Sequence, residues 1–164
     1  MIRGNPHKFL SAAIGLCAFG ALSTFAGEMP TADNGWVRAA PPNVTMHAAY
    51  LTLHNHGVTD IKIVDIESLQ YESAEIHHST VVGGVATMMK QDQLKIVSGG
   101  KLNMFPGGYH VMLIKPKKLI GIGDKIDIKF HFSDGTALTF DAEVSKTAGT
   151  MMSDHSGHMN HKKN

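Results

Sequence analysis

Cysteine is almost absent from this 164-residue chain, whose only one is Cys17. It lies near the start, in a segment that we expect to be removed, so the mature protein has no thiol. A mature chain without thiols forms no disulfide and cannot build a blue-copper centre, which needs a cysteine thiolate with two histidines. A soft-metal site would have to use other ligands, and ten methionines and eleven histidines are present.

Clusters of positive charge are also absent. The chain has 15 basic and 14 acidic residues, and removing Arg3 and Lys8 with the N-terminal segment leaves 13 basic against 14 acidic. Nucleic acids and anionic membranes are bound by clustered Lys and Arg. The balance therefore gives no electrostatic reason to expect either as a partner.

Long hydrophobic runs are lacking except near the start. Arg3 and Lys8 precede an apolar run over residues 9–22, and small residues follow it up to Ala26. This layout predicts a secretory signal peptide over residues 1–26, cleaved at its end, and an exported protein with no membrane insertion once mature.

Two alternatives to a cleaved signal are weaker. An N-terminal membrane anchor would need a longer apolar run. A lipoprotein would place its cysteine at the end of the run behind a small residue, whereas Cys17 lies inside the run after Leu16.

The body of the chain predicts an all-β fold. Short β-branched and aliphatic runs alternate with Gly, Pro, Asn and Asp, and eight or nine strands in about 110 residues are typical of a sandwich or barrel. The clearest strand is 126–132, where apolar and polar residues alternate. We predict a lead-in at 27–35, one domain at 36–146 and a disordered tail at 147–164.

Four residues suggest a metal site: His77, Met88, His110 and Met112, separated by ten, twenty-one and one residues. Two imidazoles and two thioethers form a soft, neutral ligand set, which matches Cu(I) best. A hairpin closed by Gly83-Gly84 would make His77 and Met88 diagonal neighbours, roughly 7–8 Å apart at the backbone.

The other two ligands follow the turn Pro106-Gly-Gly108. His110 and Met112 are two apart in a strand and share a face. The alternate residues Ile76, Val111 and Leu113 would face the core, so we expect all four ligands near solvent.

Other histidines and methionines allow alternatives. The hairpin register also sets His78 opposite Met89 on the reverse face, and the spacing alone does not exclude that pair. Met46, His47, His54 and His56 are interpreted as loop or surface residues, with Met46-His47 nearest the site.

The C-terminal segment is a low-complexity His/Met tract, which suggests an auxiliary metal site in the tail. An inert solvated terminus is the alternative. The candidate ligands are Met151, Met152, His155, His158, Met159 and His161.

Across 36–144 the chain resembles the periplasmic copper chaperones called PCu(A)C. The resemblance rests on Trp36-Val-Arg38, Ala48-Ala-Tyr50, Asn55-x-Gly57 with Asp60, Glu75-Ile-His77, Gly84-Val85 ahead of Met88, and Pro106-Gly-Gly-Tyr-His-Val-Met-Leu113.

The resemblance implies a cupredoxin-like Greek-key β-sandwich or barrel that binds Cu(I) at His77, Met88, His110 and Met112. It implies delivery to the copper centres of a haem-copper cytochrome oxidase, with the oxidase copper-binding subunit or another assembly factor as partner. The family pattern favours these ligands over His78 and Met89, which remain auxiliary candidates. The tail resembles extensions of some members, which implies that it holds a second copper or assists the capture of copper as Cu(II).

Two other classes of function compete. A copper-buffering or resistance protein would use the same ligands without specific delivery. An enzyme is not expected, because no motif surrounds a nucleophile and no paired carboxylates have a suggestive spacing.

Overall fold

The computed structural model describes residues 28–148, and these residues form strands and no helix. They accordingly contain no helix long and apolar enough to cross a membrane. The all-β prediction is confirmed. The strands are β1 Thr31–Arg38, β2 Met46–His54, β3 Ile61–Glu67, β4 Tyr71–Val82, β5 Val85–Gln91, β6 Leu94–Ile96, β7 Lys101–Asn103, β8 Tyr109–Pro116, β9 Lys125–Phe132 and β10 Ala137–Ser145.

The strands join one sheet in the order β5-β4-β8-β2-β1-β10-β9-β3-β6, and β7 adds to β2. The β1–β10 pair is parallel and the other pairs are antiparallel. The non-consecutive neighbours bring β8 beside β4 and β2, although these strands are far apart in sequence.

A single core holds the two halves of the sheet together. Alternate residues of β9, among them Ile128 and Phe130, are fully buried, as their pattern predicts. They belong to the same apolar cluster as Ile76 of β4 and Val111 of β8. Because strands from both ends of the sheet order bury one face into this cluster, the sheet folds over on itself.

The first strand of the structure, β1, was not predicted from the sequence. Thr31–Arg38 includes most of the predicted lead-in 27–35, whose Asp, Asn and Gly residues are poor strand formers. Pairing with β2 and β10 nevertheless holds them in the sheet, with a register shift between Asp33 and Trp36. Long-range pairing outweighs local propensity here.

The β4–β5 hairpin has the predicted register. Gly83 and Gly84 both have positive φ, 60° and 81°, as a two-residue type I′ turn requires. Val82 pairs with Val85, and Ser79 with Met88. The hairpin therefore places residues of β5 opposite those of β4 as the spacing indicated.

The Asn55-x-Gly57 motif has a structural role. The buried side-chain amide of Asn55 donates to the carbonyl oxygens of Thr59, Ile96 and Val97, and its oxygen accepts from the Gly57 N–H. Buried backbone groups need such partners, so the Asn55 side chain stabilises the loop after β2 and holds it against the end of β6.

Candidate metal site

Strands β5, β4 and β8 lie side by side and bring the four predicted ligands onto one face. His77 is directly opposite His110, and their ring centroids are 6.1 Å apart. Met112 is two residues beyond His110, and Met88 lies diagonally from His77 across the hairpin. The hairpin predicted the Met88 neighbour, whereas the direct His77–His110 pairing arises from the topology.

His110 is held in one tautomer. Its Nδ1 lies 3.1 Å from the carbonyl oxygen of Gly108, which can only accept, so Nδ1 donates and Nε2 keeps its lone pair. Burial lowers the pKa of His110, the hydrogen bond to Gly108 partly opposes that shift, and the nearby imidazoles of His77 and His78 lower the pKa further. The neutral form that metals bind is therefore favoured.

His110 is nevertheless 3% exposed, so the expectation that all four ligands lie near solvent is wrong for this residue. Its ring centroid lies 6.2 Å from that of Tyr50, whose ring in turn lies tilted against Trp36 at a centroid distance of 4.9 Å. Both aromatic residues are buried but lie outside the main core cluster. The Arg38 guanidinium covers them at about 6 Å. This aromatic group flanks His110 on the β2 side.

His77 is held in the complementary tautomer. Its Nε2 donates to Oε2 of Glu75 at 2.9 Å, which in the neutral ring leaves the lone pair on Nδ1. Within residues 28–148 that Nδ1 is buried and has no hydrogen-bond partner. An unsatisfied buried acceptor costs roughly 1–3 kcal/mol. A bound metal ion would remove that cost.

Glu75 also belongs to the candidate site, although the sequence singled it out only as part of the Glu75-Ile-His77 motif and not as a site residue. It lies opposite Met112 and accepts a second bond from Nζ of Lys90 at 2.9 Å. The hydrogen bonds from His77 and Lys90 lower the pKa of Glu75, so it is a carboxylate at neutral pH. A carboxylate behind a histidine orients the ring toward a metal. The alternation in Glu75-Ile-His77 was the available signal.

The two methionines are the other two candidate ligands. Met88 is 50% exposed on the edge strand β5, and Met112 is half-buried on β8. No three His, Cys, Asp or Glu side chains of residues 28–148 gather around one point. Two thioethers with two neutral imidazoles form a soft ligand set, which favours Cu(I) over harder ions.

The reverse face holds the other predicted pair. His78 lies directly opposite Met89 on β5 and Tyr109 on β8, and its ring stacks on Tyr109 at 4.2 Å. These two auxiliary candidates thus point away from His77. The tail candidates from Met151 to His161, like the predicted signal peptide, lie outside the described residues.

The remaining histidines occupy different environments. His47 is 5% exposed and packs edge-on against Tyr71, so its interpretation as a loop or surface residue is wrong. Burial lowers the pKa of His47. His54 pairs with Asp33 at the surface. Met46 begins β2 and is half-exposed.

Comparison with known proteins identifies the family. The family model described as "Putative lipoprotein LpqE-like" matches residues 31–144. The chain belongs to this LpqE-like family. It is 30% identical over 118 residues to "Putative lipoprotein Lxx21020" of Leifsonia xyli, covering 71% of this chain and 70% of that protein. It is 33% identical over 103 residues to "Uncharacterized protein RP573" of Rickettsia prowazekii, covering 62% of this chain and 57% of that relative.

Solved structures of PCuAC domains share the LpqE-like fold. The copper-bound PCuAC domain from PmoF2 superposes with a TM-score of 0.61 at 20% identity, covering 75% of this chain and 97% of that one. The Cu(I) form of DR1885 from Deinococcus radiodurans gives 0.56 at 30% identity, covering 76% and 82%. The cupredoxin-like fold and the resemblance to the PCu(A)C family are confirmed.

Proposed function

We propose that this protein is a copper chaperone that binds Cu(I) through Nδ1 of His77, Nε2 of His110 and the sulfur atoms of Met88 and Met112. The observation that carries the proposal is the complementary pair of tautomers. On two adjacent strands, each imidazole donates from one nitrogen to a fixed acceptor. The other nitrogen of each ring keeps its lone pair, between two thioethers on the same face.

The comparisons support copper as the cargo. DR1885, 30% identical to this chain, is described with bound Cu(I), and the PmoF2 domain is described as copper-bound. The donor set of this chain is soft and neutral, and it is ready at pH 7 because no thiol has to lose a proton.

The exposures support transfer to another protein. Met88 is half-exposed on an edge strand, whereas His110 is buried. An acceptor can displace Met88 first, while His110 holds the ion until new ligands are in place. Such an exchange replaces one ligand by another and needs no electron or catalytic group from the chaperone.

The cellular location, the acceptor protein and the role of the tail are proposed from the family resemblance. We infer that residues 1–26 direct export to the periplasm and that the acceptor is the copper-binding subunit of a haem-copper oxidase or another assembly factor. The relatives named as lipoproteins also suggest export. The His/Met tail would supply an auxiliary site, which includes capture of Cu(II).

A competition titration tests the proposal. The mature chain, residues 27–164, would be titrated anaerobically with Cu(I) against a chromophoric chelator, beside the 27–146 truncation. We expect both to retain one tight site, and the truncation to lose additional copper. Binding that disappears with the tail would contradict the site in the sandwich.

A transfer assay then separates delivery from buffering. Cu(I)-loaded protein would be mixed with a soluble oxidase copper-binding domain, and copper would be followed in each protein after separation. We expect the copper to move faster than it dissociates into chelator alone. Tight binding without transfer would favour a copper-buffering protein.

A further inference from the structure

One exposed thioether near the site has no role in the ligand set described above. Met46, the first residue of β2, pairs with Ile114, while Ala48 pairs with Met112. Directly paired residues share a face of the sheet, so Met46 lies on the face of the candidate site, diagonally from Met112.

Met46 extends a regular diagonal of soft donors. Met88 on β5 is diagonal to His77 on β4, His77 is diagonal to Met112 on β8, and Met112 is diagonal to Met46 on β2. Each step leads to the next strand of the sheet and to the residue two positions from the direct cross-strand partner. Diagonal residues lie roughly 7–8 Å apart at the backbone, a gap that two long side chains can close onto one ion.

The surroundings of Met46 leave its sulfur available. Its side chain is 50% exposed, the same fraction as Met88, whereas Met104 is 4% exposed and belongs to the core. The residue between Met46 and Tyr50 on this face is Ala48, whose methyl group fills little of the space beside Met112. Packing therefore does not account for a methionine at this position.

We propose that Met46 is a further copper ligand, which forms with Met112 a weaker two-thioether station where Cu(I) rests on its way into or out of the His77–His110 pair. The inference rests on the proposed function. The step exchanges copper ligands: the bond to the Met46 sulfur forms as the bonds to Met88 and to the two imidazole nitrogens break, Met112 stays bound, and copper stays Cu(I) throughout.

Methyl NMR on the mature full-length chain tests the station directly. The protein would carry ¹³C-labelled methionine methyl groups, and Cu(I) would be added anaerobically until no resonance changes further. We expect Met88 and Met112 to shift with the first equivalent and Met46 to shift or broaden as the titration proceeds. Met89 is the internal control, because it is 64% exposed but lies on the reverse face.

Two substitutions test the role in exchange. In Met46→Leu, we expect the rate at which a chelator extracts Cu(I) to fall about fivefold, while the dissociation constant of the first ion changes less than about threefold. Met89→Leu, the matched control, should change neither quantity. Leucine keeps the apolar bulk and removes only the sulfur.

The outcomes separate the two proposals. If Met88 and Met112 shift while Met46 stays fixed through saturation and Met46→Leu exchanges like the wild type, the station is wrong and the proposed function stands. An equal response of Met89 would also overturn the station, because it would show unselective thioether binding. If neither Met88 nor Met112 shifts, both proposals fail.

Discussion

The two faces of the sheet formed by β5, β4 and β8 carry nearly the same residue types, but the side chains on the two faces have different contacts. One face presents His77 with Met88 as a diagonal neighbour, and the other presents His78 directly opposite Met89. On the first face His77 meets a second imidazole and a carboxylate. On the reverse face His78 stacks on Tyr109.

The difference teaches that a pair of possible ligands does not make a site. His77 has one nitrogen committed to Glu75 and the other buried without a partner among the described residues, so its lone pair is oriented before a metal arrives. His78 packs through its ring face, and no second imidazole is its cross-strand partner. Preorganisation distinguishes the two faces more than composition does.

The largest expected effect comes from replacing each of the two neighbouring histidines, His77 and His78, by alanine in separate variants. His77→Ala removes a ligand and should weaken Cu(I) binding at least about 100-fold, or about 2.7 kcal/mol. His78→Ala should change it less than about threefold, although losing the stack on Tyr109 costs about 1 kcal/mol of stability. Competition with a chromophoric chelator measures both affinities. Equal losses would contradict the assignment of the faces.

The next largest effect concerns the carboxylate behind His77. Glu75→Ala removes the hydrogen bond that orients the His77 ring and keeps its proton on Nε2. The ring can then rotate and the proton can move to Nδ1, so Cu(I) affinity should fall about 10- to 100-fold. Glu72→Ala is the matched control, because Glu72 lies on the same strand as Glu75 and pairs with Lys115 of β8 rather than with His77. The same titration measures both variants, and an unchanged Glu75→Ala affinity would remove the orienting role.

The methionines give a smaller effect. Met112→Leu keeps the bulk and loses the thioether, which should weaken Cu(I) binding about tenfold, while Met89→Leu should have no measurable effect. Anaerobic titrations of both variants check this. A larger loss from Met89→Leu would move the site to the reverse face.

Local signals predicted the parts of this site that lie close in sequence. Gly83 and Gly84 fixed the hairpin and hence the positions of Met88 and Met89 relative to β4, because a two-residue turn sets the register of both strands. The alternation of β8 likewise placed His110 and Met112 on one face.

The missing parts depend on distant pairing. No local sequence signal indicates that β8 pairs with β4, so the direct pairing of His77 with His110 and the burial of His110 could not be predicted from their spacing. His47 was misplaced for the same reason, because its burial depends on Tyr71 of β4. Strand β1 was missed because Asp33, Asn34 and Gly35 disfavour a strand locally.

The smallest effect is a pH dependence of the apo protein's stability. Burial lowers the pKa of His110, so below about pH 6.5 the unfolded chain takes up a proton that the folded chain resists binding. The free energy of unfolding should therefore fall as pH drops from about 7.5 to about 5.5, and level off below the lowered pKa.

In His110→Gln the free energy of unfolding should depend less on pH, since glutamine does not titrate. Burial also lowers the pKa of His47, so His47 should account for the pH dependence that remains. Urea denaturation of the metal-free protein and its variants across this range measures it. If the free energy of unfolding of His110→Gln depends on pH as steeply as that of the wild type, His110 binds its proton equally well in the folded and the unfolded protein. The buried position of His110 would then not be what keeps its Nε2 ready for copper.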